Sequence, residues 1–350
     1  MTSGKPLRVA DFDYDLPPDL IAQHPLPHRD DSRMMIVDRE AGTIRHGRFR
    51  AFTDFMNTGD LLVLNDTRVL PARLWGTSGD AKIEFLFIRE EVSPGLWEVL
   101  CRPAKRVRAG DFVRFTTGVA ARVAGLADEG RRILDFGKID VRAFLQNVGY
   151  APLPPYIKRA KQDETARPED IDRYQTVFAK NEGAIAAPTA GLHFTGDMLR
   201  GLKAKGVEVR RVTLDVGLAT FQPVRVELVD DHKMLEESYS ITPAAARTIN
   251  AAKSAGHPVS AVGTTVVRTL ESAWRDGAVR PGRSTTSLFV RPGFEFHVVD
   301  RLLTNFHLPQ STLLMLVSAV AGYDLVMKAY AEAVRARYRF FSYGDCMLIL

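Results

Sequence analysis

The sequence predicts an α/β main domain with an inserted small antiparallel β-barrel domain. Two observations predict it. Buried-strand runs that break into helix starts occupy both ends of the chain. A central stretch instead strings short strand signals between glycine-bearing turns. From Met1 to about Arg73 loops, strand signals and turns are mixed, and Leu61-Leu62-Val63-Leu64 reads as a buried strand running into Asn65-Asp66-Thr67-Arg68. From about Leu74 to Val148 the runs at 82–88, 96–100, 111–115, 120–126 and 131–136 are separated by Ser93-Pro94-Gly95, Ala109-Gly110 and Asp128-Glu129-Gly130. That pattern fits a small antiparallel barrel or sandwich. Three prolines between residues 151 and 157 then make an extended connection. The apolar run Ala184-Ile185-Ala186-Ala187 reads as a buried strand that Pro188 ends. Thr195 suits the N-cap of a helix with Gly206 as its C′ glycine. Residues 207–216 read as a strand, and Thr242-Pro243 opens a helix that ends at Gly256. Residues 259–262 form a strand that breaks into Gly263-Thr264-Thr265 and a helix through Trp274; residues 313–321 read as a buried helix. The expected division is a discontinuous α/β catalytic domain, 1–73 with 150–350, and a barrel domain, 74–149.

Composition sets the outer bounds. At 350 residues, 45% hydrophobic and 25% charged, the chain has the make-up of a globular protein with a large core. No run of about 18 apolar residues is present, and residues 1–8 hold no apolar signal region. Cys101 and Cys346 match no metal or redox spacing, which suits a reducing cytoplasm. His24 and His28 are four apart, but Pro25 and Pro27 prevent the helical turn that would align them, so no metal site is expected. The net charge of +5 permits a polyanionic partner without demanding one. Basic residues cluster at Arg102, Lys105, Arg106 and Arg108, at Lys158, Arg159 and Lys161, and at Arg335, Arg337 and Arg339. The last group interleaves with Tyr338, Phe340, Phe341 and Tyr343. It fits an RNA-stacking surface and, equally, a helix end followed by a core strand.

Four loops could carry chemistry. The segment Thr189-Ala190-Gly191 allows a tight turn after Pro188, and His193 sits in a strand-to-helix loop, where open α/β sheets place ligands. His193 is either a general acid or base or a hydrogen-bonded structural histidine. Asp66 and Arg68 end a buried strand. There a carboxylate can accept from a ribose diol and an arginine can clamp a carboxylate, or the two can simply pair. Gly263-Thr264-Thr265, followed by Arg268, has the make-up of an anion nest, but also of an ordinary βα turn. It is no P-loop, because the lysine is missing, and no Gly-X-Gly occurs in the chain. Nucleotide hydrolysis and nicotinamide redox chemistry are therefore disfavoured. Residues 304–312 crowd His307, Gln310 and Ser311 at the mouth of the buried helix, with Ser311 also a natural cap. The proline-stiffened loop at 23–33 is either functional or a surface tether.

These motifs resemble those of the S-adenosylmethionine:tRNA ribosyltransferase-isomerases of queuosine biosynthesis. The resemblance runs from about Leu7 to the C-terminus, over residues 23–33, 64–69, 153–157, 172–177, 188–195, 263–268 and 304–312. It implies transfer and isomerisation of the ribosyl group of S-adenosylmethionine onto 7-aminomethyl-7-deazaguanine at the wobble position of tRNA. Epoxyqueuosine is formed, and adenine and methionine leave. S-adenosylmethionine is then a consumed substrate and not a cofactor, and a cytoplasmic monomer that takes the tRNA anticodon arm and no membrane is expected. Joined to that chemistry, position assigns proton transfer to His193 or His307, and the ribose hydroxyls or incoming amine to Asp66. The methionine carboxylate falls to Arg68 or Arg268, and the turn Gly263-Thr264-Thr265 holds that carboxylate or a tRNA phosphate. Thr189, Ala190, Gly191, Gln310 and Ser311 complete the substrate-binding set, and Arg102, Lys105, Arg106 and Arg108 are expected to meet tRNA phosphates. Two rival classes stand beside it: a tRNA methyltransferase, which would release S-adenosylhomocysteine, and a non-catalytic RNA-binding protein, which would turn nothing over.

Overall fold

The structure is a computed structural model that describes residues 6–116, 118–159, 167–217 and 224–350. Lys161 and the leader residues 1–5 lie outside the described residues. β1 (Arg33–Asp38) and β2 (Thr43–Arg48) pair antiparallel. β3 (Leu61–Asn65) is wholly buried, and β4 (Thr67–Val69) follows after Asp66 alone. The inserted strands are β5 (Arg73–Ser78), β6 (Ala81–Glu90), β7 (Leu96–Arg102), β8 (Phe112–Phe115), β9 (Ala120–Leu126) and β10 (Arg131–Asp135). Next come α1 (Val141–Val148), α2 (Arg167–Arg173), β11 (Asn181–Ala184), α3 (Gly196–Ala204) and β12 (Glu208–Leu214). They are followed by β13 (Glu237–Ile241), α4 (Pro243–Ser254), β14 (Val259–Val262) and α5 (Thr264–Ala273). A small hairpin, β15 (Trp274–Arg275) with β16 (Ala278–Val279), leads to β17 (Gly282–Thr286). The chain ends with β18 (Arg301–Asn305), α6 (Thr312–Ala321), α7 (Tyr323–Arg335) and β19 (Cys346–Ile349).

Among the described residues, nine strands form one mixed sheet in the order β17-β13-β12-β3-β14-β18-β19-β1-β2, and β5 to β10 close into an antiparallel barrel. The four central strands β12, β3, β14 and β18 run parallel. Covered on both faces, such strands become continuously apolar, as Leu61-Leu62-Val63-Leu64 does. Alternate residues serve opposite faces: Leu61 and Val63 pack with helices α4 to α7, and Leu62 and Leu64 pack with Phe49, Phe52, Phe194 and Leu202 of α3. Thr195 caps α3 by accepting from the Met198 N–H at 3.1 Å, and Gly206 takes the left-handed φ of +86° beyond its end.

The barrel core follows from period-two alternation. Ile83, Phe85 and Phe87 of β6 and Trp97, Val99 and Cys101 of β7 point inward. The helix α1, capped by Asp140, sets Phe144 edge-on to Phe115 with ring centres 5.7 Å apart. The two ends of the insert meet where Tyr150 N–H donates to the Arg73 carbonyl at 2.8 Å and Arg73 N–H to that of Tyr150 at 3.1 Å. Among the described residues no single helix is long and apolar enough to cross a membrane.

One expectation is corrected, and one open alternative is decided. The apolar run at 184–187 is buried but leaves the ladder at Ala184, and its strand, β11, pairs with short β4 instead of joining the main sheet. Ile185, Ala186 and Ala187 each serve a different apolar cluster, so surrounding side chains bury them without a sheet. The aromatic residues interleaved with the last arginines are core: Tyr338 and Phe340 are fully buried, and Arg335 pairs with Glu332 and Arg337 with Asp19.

Candidate active site at the carboxyl edge of the sheet

The parallel alignment brings the carboxyl ends of β12, β3, β14 and β18 to one edge, the place where open α/β sheets bind ligands. β19 runs antiparallel to β18 and parallel to β1, so its start and that of β1 join the same edge, with Cys346 beside both Asn305 and Met34. The edge therefore presents Asp215, then Asn65 and Asp66, the turn at Gly263, Asn305, and finally Ser32.

Asn65 ties the first three together. Its side-chain carbonyl accepts from the N–H groups of Thr67 (3.1 Å) and Leu214 (3.0 Å). Its amide donates to the Leu214 carbonyl (3.1 Å) and Thr265 Oγ1 (3.3 Å). Beside it two carboxylates are clasped reciprocally. Thr213 Oγ1 donates to Asp66 Oδ1 at 2.7 Å, and Thr67 Oγ1 donates to Asp215 Oδ1 at 3.1 Å. Asn181 adds a bond of 3.0 Å to Asp66 Oδ1. A Cβ on Gly183 would meet Asp215 Oδ1 at 2.5 Å, so glycine makes room for that carboxylate. Burial pushes the Asp215 carboxyl up, and Asp66 adds to this, against Thr67, Arg283 and Arg142. Two neighbouring carboxylates in unequal surroundings are the raw material of proton transfer. The pairing of Arg68 with Asp66, offered as the alternative, does not occur among the described residues: the exposed Arg68 has Glu182 at 4.0 Å.

His193 ends a 3-10 turn, Thr189–His193, and is only 4% exposed. Its ring bridges the residue just before β1 and the last residue of β18. Nδ1 lies 2.7 Å from Ser32 Oγ, and Nε2 lies 3.2 Å from Asn305 Oδ1. The Asn305 amide nitrogen donates to the carbonyls of Phe341 (2.8 Å) and Ser342 (3.4 Å), which turns its oxygen toward the histidine. His193 is therefore assigned as Nε2–H, with Nδ1 accepting from the serine hydroxyl. Burial, then Arg339 and Arg29, push its pKa down to about 4, opposed by the bond to Asn305. At neutral pH it is an uncharged base whose free route for a proton runs through Ser32. His193 and Ser32 line a small pocket with His28, Arg29, Arg173 and Tyr343. The 23–33 loop is thus a wall of this pocket, held by Arg173 donating to the carbonyls of Leu26 and Pro27.

The 189–191 turn approaches the Gly263 turn: a Cβ placed on Gly263 would lie 3.7 Å from the Ala190 Cβ. Gly191 N–H is spent on the Pro188 carbonyl at 2.8 Å. Gly263 has φ +90°, and α5 starts at Thr264 without a side-chain cap. The first N–H groups of a helix lack intrahelical partners and favour anions. Arg268, by contrast, is consumed by the fold. It is buried, ion-paired with Glu237, and bonded to the carbonyls of Leu288 (3.0 Å) and Thr286 (3.4 Å). His307 is half-buried. Its Nε2 lies 2.8 Å from Thr304 Oγ1, and burial pushes its pKa down to about 3. Ser311 caps α6 by accepting from Leu314 N–H at 3.2 Å, and Gln310 donates to Asp13 at 2.9 Å. Arg102, Lys105, Arg106 and Arg108 are exposed on the barrel, in or beside the β7–β8 loop, outside the edge cluster. The buried Arg132 donates to the carbonyls of Ala104 and Val107 at 2.7 Å each and so orders that loop.

Sequence reasoning missed Asp215, Ser32 and Asn305 as partners. Asp215 was legible as the acidic residue near the end of a strand; Ser32 and Asn305 sat inside flagged segments, but nothing in the sequence joins them to His193.

Residues 9–349 match the family described as queuosine biosynthesis protein. The chain belongs to that family. It is 49% identical over 350 residues to the S-adenosylmethionine:tRNA ribosyltransferase-isomerase of Moorella thermoacetica, a match covering 98% of this chain and 100% of that one. It is 51% identical to the protein of the same name from Symbiobacterium thermophilum, with the same coverage. The solved structure of S-adenosylmethionine tRNA ribosyltransferase from Thermotoga maritima is 40% identical, spans 97% of this chain and superposes with a TM-score of 0.55.

Proposed function

We propose that this chain transfers and isomerises the ribosyl group of S-adenosylmethionine onto 7-aminomethyl-7-deazaguanine at the wobble position of tRNA, releasing adenine and methionine. The observation that carries this is membership over residues 9–349 of a family whose relatives bear that activity in their names. The polar edge supports it with the groups the chemistry needs. The sulfonium acidifies the adjacent 5′-carbon and makes methionine a good leaving group. A base must remove that proton, an acid helps adenine depart, and the attacking amine must be neutral. His193, uncharged and linked to Ser32, serves as the base, and His307, held by Thr304, is the lesser candidate. Asp66 receives the ribose hydroxyls or the incoming amine, and Asp215, whose carboxyl burial pushes up, stands beside it as the second carboxylate of the clasp. Arg68 and the uncapped turn Gly263-Thr264-Thr265 receive the methionine carboxylate, because Arg268 is already paired. Thr189, Ala190 and Gly191 border that turn. The division into a catalytic α/β domain (1–73, 150–350) and a tRNA-holding barrel domain (74–149) belongs to the same proposal, as do monomeric state and cytoplasmic location.

Product analysis tests it. The protein is mixed with S-adenosylmethionine and tRNA bearing the aminomethyl base, and the products are separated by chromatography and mass spectrometry. Adenine, methionine and a ribosyl-sized mass gain on the nucleoside, all dependent on the modified base, are expected. S-adenosylhomocysteine would make the chain a methyltransferase and overturn the reading.

A further inference from the structure

Four cations of the insert are neutralised: Arg73 pairs with Glu84 at 3.0 Å, Arg89 and Arg131 with Glu98 at 2.9 and 2.8 Å, and Arg142 with Glu90 at 3.4 Å. Arg114 of β8 and Arg122 of β9 are exposed and, among the described residues, form no ion pair within 4.0 Å, although Arg122 lies opposite Asp135 of β10 in the register. The same holds for Arg102, Lys105, Arg106 and Arg108 in the adjoining β7–β8 segment. Glycine N–H at position 110 donates to the Val123 carbonyl at 2.9 Å, so this segment and the β8–β9 ribbon are one continuous surface.

The ribbon also carries an aromatic ring where alternation calls for a polar residue. Phe112 is 63% exposed and lies directly opposite Arg122 in the register, and Arg114 lies opposite Ala120. Because side chains two apart share a face, Phe112 and Arg114 stand together with Ala120, Arg122 and Ala124. The alanines keep that face low, so ring and guanidinium groups stand clear of their surroundings. An exposed ring framed by unneutralised arginines matches a polyanion that also offers aromatic faces, which is RNA and not an acidic protein or a lipid surface.

We infer that the outer face of the β8–β9 ribbon is an RNA-binding surface for the tRNA substrate, with Phe112 stacking on a base or ribose and Arg114 and Arg122 on flanking phosphates. The inference rests on the function proposed above, and extends the tRNA contact beyond the β7–β8 loop.

The test compares the full-length parent with Phe112→Ala, Phe112→Leu, and Arg114→Gln/Arg122→Gln, using Lys138→Gln, an exposed cation elsewhere on the insert, as control. Loss of the ring is expected to raise KM for tRNA about tenfold, in both phenylalanine variants, with kcat and the KM for S-adenosylmethionine unchanged. The double arginine variant is expected to lower the slope of log affinity against log salt by about 2, and the Lys138 variant to leave it at the parent's value. Melting temperatures equal to the parent's confirm that the folds are intact. Unchanged tRNA KM in both phenylalanine variants together with an unchanged salt slope would overturn the inference, as would an equal change in the Lys138 control. Failure of the proposed function is visible separately, as no adenine release by the parent; filter binding of tRNA by parent and variants would then still read this surface.

Discussion

At the scale of single residues, His193 is the proposed base of the site. Its two ring nitrogens are engaged by Ser32 and Asn305, residues 161 and 112 positions away, so the ring is fixed in orientation and tautomer before any substrate arrives. Replacing His193 by Ala should lower turnover about 10²–10⁴-fold, measured as adenine release under single-turnover conditions, with the far-ultraviolet dichroism unchanged. A parent-like rate would remove it from the mechanism. The same burial that keeps His193 neutral makes stability depend on pH. The unfolded chain binds the proton below about pH 6.5, whereas the folded chain resists it until about pH 4. Between those values the unfolded state holds more protons, so stability is full above the unfolded pKa and falls as the pH drops toward 4, by up to about 3 kcal/mol. Urea unfolding at pH 7 and pH 4.5 should show this loss, and His193→Gln should shrink it. An equal loss in the variant would assign the effect to other groups.

At the scale of elements, the site is bordered by a turn whose backbone conformation disfavours any side chain. Gly263 sits at φ +90° between β14 and α5, and the first turn of that helix is uncapped. Gly263→Ala should cost about 1–3 kcal/mol of stability, from backbone strain, and should raise KM for S-adenosylmethionine, because the turn must shift to relieve it. A variant with parent affinity for S-adenosylmethionine would separate this turn from substrate binding. Thr195→Ala, which removes the cap of α3, should cost about 1 kcal/mol in urea unfolding without changing kcat; a tenfold fall in kcat would mean that α3 positions the site directly. These elements were also the legible ones. The glycine, threonine and proline signals at Thr195, Gly206, Thr242-Pro243 and Gly263 act locally, and the helices start and stop where they say. β5 and β18 were not read, because Arg73–Ser78 mixes polar and apolar residues and Arg301–Asn305 holds only Leu302 and Leu303 as an apolar core. Their strand identity comes from pairing partners far along the chain. The clasp between Asp66 and Asp215 was hidden for the same reason: it exists only when β12 aligns beside β3.

At the scale of the whole molecule, two chemically different units are joined through one seam. The mixed sheet gathers carboxylates, histidine and an open helix start on one edge, and the barrel carries unneutralised cations on its outer face. Near the seam, Gln146 of α1 bonds Glu182, which neighbours Arg68, so the insert reaches the carboxylate end of the edge. Neutralising Arg102, Lys105, Arg106 and Arg108 together should weaken tRNA binding and lower its log–log salt slope by about 3 to 4, with the affinity for S-adenosylmethionine unchanged. A slope equal to the parent's would place the tRNA elsewhere. A crystal structure of the protein with S-adenosylmethionine bound decides whether the substrate reacts at the carboxyl edge of β12, β3, β14 and β18. The ribose is expected against Asp66 and Asp215, with the methionine carboxylate at Arg68 or the Gly263 turn. S-adenosylmethionine seated instead in the cleft of about 550 Å³ lined by Arg73, Glu84, Leu153 and Pro155, with no contact to the edge, would contradict it.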